Sequence, residues 1–143
     1  MIKHGIDKLD TCDPRLMELI YFVSKKWDIV ISEGHRSKER QLELYKNKLT
    51  QVKHSKHNEF PSMAVDVEPH PVDWRTFGEL LKAESKTEQL SIAKNIARWY
   101  MFIGYVNGVA DKMQINIVSG GDWDDDTQIT DNKFNDLVHH EIR

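Results

Sequence analysis

The chain has a single cysteine, Cys12, among 143 residues, and that scarcity removes two kinds of structure. No internal disulfide can form, and no zinc site built on thiolates can be assembled. Any metal held here is held by His, Asp or Glu. Cys12 itself reads as a small buried hydrophobe. Long apolar runs are missing too: nothing approaches the roughly 18 residues needed to cross a bilayer, so membrane insertion is not expected. The opening MIKHGIDKLD lacks a signal-peptide core, which predicts synthesis in the cytoplasm. Positive charge is in short supply, with 20 Lys and Arg against 23 Asp and Glu and a formal net charge of -3. That is the reverse of a nucleic-acid-binding footprint, and it offers no polybasic attraction to an anionic membrane.

What remains is an ordinary globular composition, 39% apolar and 30% charged, at a length that buries a core without staples. No repeat, low-complexity linker or composition break divides the chain, so residues 1–143 read as one domain. Asp13 and Pro14 open a helix whose Leu16, Leu19, Ile20 and Val23 form one apolar stripe to about Lys26. Trp27–Ser32 alternates as a strand and ends in the turn Glu33-Gly34-His35-Arg36-Ser37. A helix follows from Ser37 to about Lys48, with Leu42 and Tyr45 expected to face inward. Thr50–Pro61 is polar and without period. Met63–Glu68 is a second strand, with Asp66 on the face opposite Val65 and Val67.

Asp73-Trp74 is expected to cap a helix to Ala83, and Thr87-Glu88 to open the longest helix, ending near Val106 where Gly104 and Gly108 loosen it. Lys112–Val118 reads as a third strand, Asp122–Asn135 as an acidic loop and Asp136–Ile142 as a fourth strand or its approach. Helices and strands do not alternate regularly. The expected class is therefore α+β, a small, mainly antiparallel sheet with helices packed against one face.

Among seven histidines, two groupings stand out. One is His57 followed by Asp66 inside a strand, where a carboxylate must be paired, metal-bound or at a cleft. The other is Asp136-Leu137-Val138-His139-His140-Glu141, a carboxylate three residues before a histidine at a strand entry. A hydrolytic zinc site takes three N or O ligands and leaves one position for water, whose pKa falls to about 7. A carboxylate outside the ligand set can then move the water's proton to the leaving group. Two histidines, a strand aspartate and a spare carboxylate are the parts such a site needs, although scattered surface histidines would give the same count.

Read in order, Ser55-Lys56-His57, Pro61-Ser62-Met63-Ala64-Val65-Asp66-Val67 and Asp136-x-x-His139-x-Glu141 resemble the M15 family of zinc peptidases. Gly34-His35-Arg36-Ser37 with Gln41, Asp73-Trp74, and Gly120-Gly121-Asp122-Trp123-Asp124 extend the likeness from the first long strand to the C-terminus. The family includes phage endolysins that cleave L-alanyl-D-glutamate bonds and bacterial D-Ala-D-Ala carboxy- and dipeptidases. The resemblance implies a D-Ala-D-Ala peptidase/hedgehog-like fold and one Zn2+ held by His57, Asp66 and His139. It also implies Asp136 as the catalytic carboxylate and Arg36 as the group that steadies the substrate carbonyl or developing oxyanion. Glu141 shares a strand face with His139 and is expected to support it. Ser55, Gln41, Asp122 and Trp123 are expected to support the ligands or touch substrate.

The function so implied is hydrolysis of the L-alanyl-D-glutamate bond of peptidoglycan stem peptides by a monomeric bacteriophage endolysin, released to the periplasm for host lysis. Rival readings are a D-Ala-D-Ala carboxypeptidase of the same family and a non-catalytic zinc- or wall-binding module, against which Asp136 and Arg36 argue. The sequence departs from the family pattern in one respect. His57 and Asp66 stand further apart than in many members, so Asn58–Ser62 must bulge. His54 competes with His57, and His140 with His139; the Ser-Lys-His and Asp-x-x-His contexts favour His57 and His139. Glu68–Pro71, including His70, is expected as pocket wall. Asp122, Asp124 and Asp126 have the first spacings of a Ca2+ loop, but Thr127 and Lys133 replace its Gly and Glu.

Overall fold

Ile29–Glu33 (β2) and Ala64–Pro69 (β3) form the middle of the sheet, because their β-branched residues bury one face. The computed structural model describes Met1–Arg143 and completes the sheet with Ile2–His4 (β1), Ile117–Ser119 (β4) and His139–Ile142 (β5). The strand order is β1-β2-β3-β5-β4. β1 pairs parallel to β2 and the other three pairings are antiparallel, so the sheet is mixed within the expected α+β class. β1 gives no periodic signal at three residues. It forms because the rim of β2 accepts it, with Ile29 N–H donating to Met1 O at 3.0 Å.

The helices are Ile6–Leu9 (α1), Pro14–Val23 (α2), Lys38–Lys46 (α3), Phe77–Lys82 (α4) and Lys86–Met113 (α5). The Asp13 side chain accepts from Arg15 N–H and Pro14 takes the first turn of α2, as its sequence predicts. Three helical expectations are corrected. α4 starts at Phe77, because Asp73 bonds Arg75 instead of a helix N-terminus, while Glu79 receives the Thr76 N–H at 2.9 Å. α5 does not stop near Val106. Gly104 and Gly108 are exposed, and Ile103, Val106, Val109 and Ala110 continue the buried stripe. That burial offsets the roughly 1 kcal/mol each glycine costs. Lys112 and Met113 are therefore helix, and strand begins only at Ile117. In α3 the inward residue is Gln41, fully buried, while Leu42 and Tyr45 are exposed, because α3 stands over a polar cleft and not over the core.

One sheet face packs on α2 and α5 to form the core, in which Leu16, Leu19, Ile20, Ile31, Val65, Val67, Phe102 and Val106 are essentially inaccessible. Along β5 this alternation sends His140 and Ile142 into the core side and leaves His139 and Glu141 on the other. His140 is fully buried. Its Nδ1 lies 2.8 Å from Ser119 Oγ, which donates onward to Asn107 Oδ1 at 2.6 Å, tying β5 to β4 and α5.

Burial holds the His140 imidazolium down to a pKa of about 3, with the neighbouring His139 adding to the effect. Its folded value lies below the unfolded value of about 6.5. The stability linked to it is therefore complete above about pH 6.5 and is lost as pH falls toward 3. Urea unfolding with chelator present should show His140→Gln flattening the pH dependence of stability, by up to about 1.4 kcal/mol per pH unit between about pH 4 and 6. An unchanged slope would refute this account.

Candidate functional site

Sheet register brings two of the candidate ligands together. Asp66 of β3 is the direct cross-strand neighbour of His139 on β5, and Glu33 of β2 faces Asp66 from the other side. The third, His57, comes from a single 3-10 turn, Lys56–Asn58, inside the stretch that reads as an aperiodic loop. Ser55 Oγ accepts from His57 N–H at 3.3 Å, and Asn58 Oδ1 accepts from Ser55 N–H at 2.8 Å. Asn58 also donates to Arg36 O at 2.8 Å, and Arg36 N–H donates to His57 O at 2.8 Å. The turn is thus fastened to the β2–α3 corner, and the exposed Phe60 lies in the bulge beyond it.

His57 Nε2 lies 3.0 Å from Asp66 Oδ1, His139 Nδ1 lies 3.1 Å from the same oxygen, and the two ring nitrogens are 3.3 Å apart. Ligands bonded at about 2.0–2.1 Å around a tetrahedral ion stand about 3.3 Å apart, so the triangle is of metal-binding size. The outward ring nitrogens are both engaged. His57 Nδ1 meets Gly34 O at 2.7 Å and His139 Nε2 meets Glu141 Oε2 at 2.9 Å. Each outer nitrogen donates its proton there, which turns a lone pair inward and fixes the tautomer. Gly34 is required for this: a Cβ there would lie 2.1 Å from Lys8 O. Two imidazoles and one carboxylate suit a borderline ion such as Zn2+. These residues fit the metal.

Electrostatics favour positive charge at the centre of the cluster. Burial works against ionisation of Asp66, but hydrogen bonds from His139 and His57 outweigh it and hold the carboxyl well below the usual range. Burial likewise opposes the His139 imidazolium, yet its contacts with Asp66 and Glu141 raise its pKa to about 9. Protons and metal ions therefore compete for the same atoms.

A cleft of about 850 Å³ lies over these ligands, within the usual size range of small-molecule sites. Arg36 lines it with its fork braced on three sides. Nε donates to Glu33 Oε2 at 3.2 Å, Nη1 to Gln41 Oε1 at 2.9 Å, and Nη2 stands 3.8 Å from Asp66 Oδ2. Gln41 in turn donates to Val52 O at 2.7 Å, so it holds Arg36 and the cleft wall and does not itself line the cleft. Asp136 also lines the cleft, just before β5 and not within it; burial, then the charge of Asp66, pushes its carboxyl pKa up. The Trp123 ring lies 5.3 Å from that of His139, and its indole N–H donates to Phe134 O at 2.9 Å.

Other candidates fall elsewhere. His54 is exposed at the cleft edge, 3.3 Å from Glu59, and His140 is in the core. Glu68–Pro71 is not cleft wall: Arg98 of α5 donates to the carbonyls of Pro69, His70 and Pro71, which pins this turn away from the cleft. Asp122 does not line the cleft. It joins Asp124 and Asp126 in a second carboxylate group, exposed at two of its three members. Its Oδ2 accepts from Thr127 N–H at 3.0 Å. Sequence reading missed Glu33, the part played by the Gly34 carbonyl and the 44–52 wall. Glu33 adjoins the flagged Gly34-His35-Arg36-Ser37, but the wall residues Leu44 and Lys48–Val52 carry no pattern that marks them.

A scan against protein-family models finds none that matches this chain, and no curated protein matches it. Among solved structures, the Serratia marcescens L-Ala D-Glu endopeptidase ChiX is similar, with 20% sequence identity and a TM-score of 0.68 over 100% of this chain and 90% of that one. The two share a fold.

If Glu141 orients His139 as its geometry indicates, Glu141→Gln should weaken zinc binding about 10- to 100-fold. His139→Ala should abolish stoichiometric binding, and His54→Ala should leave it unchanged. Competition with a chromophoric chelator measures all three, and wild-type affinity in Glu141→Gln would remove its orienting role.

Proposed function

We propose that this protein is a zinc-dependent peptidase that hydrolyses the L-alanyl-D-glutamate bond of peptidoglycan stem peptides, acting as a bacteriophage endolysin on the wall in the periplasm. The observation that carries this reading is the convergence of His57, Asp66 and His139, at tetrahedral spacing, in a cleft that also presents Arg36 and Asp136. The fold shared with an L-Ala D-Glu endopeptidase and the ordered motif resemblance to M15 peptidases support the choice of bond.

A zinc ion held by His57, Asp66 and His139 would supply Lewis acidity, polarising a carbonyl and bringing the pKa of a water near 7. The chain's own groups do the rest. Asp136 accepts the proton of the attacking water. The raised affinity of its buried carboxyl for protons suits it to hold that proton and return it to the departing nitrogen as the C–N bond breaks. Arg36, kept rigid by Glu33 and Gln41, directs its donors toward the oxygen on which negative charge develops. Because the fork is braced before substrate arrives, little reorganisation is needed at the moment of reaction. Glu141 and the Gly34 carbonyl keep both imidazoles aimed inward throughout.

Asp136→Ala should retain one zinc and an unchanged Tm while losing at least about 100-fold in kcat on purified peptidoglycan. Mass spectrometry of wild-type digests should show new N-terminal D-glutamate. Released D-alanine would mark a carboxypeptidase instead, and full activity in Asp136→Ala would sink the assigned base.

A further inference from the structure

The ionised residues lining the cleft sort by whether another protein charge answers them. Glu33 pairs with Arg36 and Arg40 with Glu43 at 2.7 Å, while Glu59 meets the imidazole of exposed His54 and Glu141 that of His139. Asp66 is engaged by both imidazoles. Among the lining carboxylates only Asp136 meets neither a cation nor an imidazole within 4.0 Å, and among the lining lysines and arginines only Lys48 and Lys56 have no carboxylate within that distance. Asp136 has its part in proton transfer. Two ammonium groups therefore remain, open to the same space, next to a ligand cluster that itself favours positive charge.

Both lysines sit on backbone that is fastened in place. Lys48 closes α3 in the left-handed region at φ +58°, where Lys48 N–H donates to Tyr45 O at 3.0 Å and Leu49 N–H to Leu44 O at 2.9 Å. Lys56 opens the 3-10 turn that carries His57, and its carbonyl accepts from Met63 N–H at 3.1 Å. An unpaired ammonium of this kind is answered by an anion on the ligand. A glutamyl residue that continues a peptide through one carboxyl group keeps the other, either free or amidated.

We propose that Lys48 and Lys56 form a carboxylate subsite of this cleft, which takes the second carboxylate of the substrate's glutamyl residue and so selects free over amidated stems. The proposal rests on the peptidase reading for the identity of the substrate, and on the unpaired lysines for the subsite.

The test uses zinc-loaded protein and two stem peptides that differ only in whether the glutamyl carboxylate is free or amidated. The free form should be preferred about fivefold or more in kcat/KM, through KM, and the preference should shrink as salt is raised. In Lys48→Gln/Lys56→Gln the ratio should approach one. Lys94→Gln, an equal charge change on the exposed face of α5, should keep it. Equal wild-type rates on both peptides would overturn the subsite and leave the peptidase reading standing. Cleavage of neither would overturn the peptidase reading. The Kd values of the two peptides for zinc-loaded Asp136→Asn would then decide the subsite, with equal values overturning it.

Discussion

Two inward-facing imidazoles and one carboxylate within 3.3 Å of one another are the arrangement on which the rest of the structure depends. Such a cluster is tolerable only if positive charge sits at its centre and if each ring is prevented from turning away. The surrounding fold supplies the second condition. Gly34 O and Glu141 hold the outer nitrogens, and β3 and β5 hold Asp66 and His139 at one register position. A one-residue slip of β5 would put His140 in the cleft and His139 in the core. The His140–Ser119–Asn107 chain on the core side therefore guards the ligand set as well as the packing.

A second set of bonds ties the cleft face to that frame. The β2–α3 corner and the 3-10 turn exchange main-chain and side-chain hydrogen bonds through Arg36, His57 and Asn58. Gln41 continues this outward, from the Arg36 guanidinium to the carbonyl of Val52. Arg36 is consequently placed by residues from β2, α3 and the cleft wall together. Its orientation reflects the whole rim of the cleft, and a change in the 44–56 segment would be felt at the guanidinium.

The legible parts of the fold were those with strong local patterns. α2 announced itself through Asp13-Pro14 and a clean apolar stripe, and β2 and β3 through alternation. The illegible parts depended on partners distant in sequence. β1 is three residues long and exists because β2 has an edge to fill. α5 runs past two glycines because its far end still has a core to cover. The Leu42 and Tyr45 expectation failed because an apolar pattern does not reveal that α3 covers a polar cleft, where Gln41 is the residue buried.

The sequence by itself determined which side chains were available for chemistry: a single cysteine, an acidic balance, and His57, Asp66, Asp136 and His139 in recognisable local contexts. Those contexts follow from neighbours along the chain, which a sequence displays. The motif resemblance anticipated a shared site for residues 57, 66 and 139 with Glu141 behind His139. Tertiary structure alone supplied the spacing at which they meet, the Gly34 carbonyl that turns His57 inward, and the placement of Glu68–Pro71 elsewhere, tied to Arg98. Those outcomes are set by strand register and helix packing across separations as long as 82 residues, where local pattern carries no information.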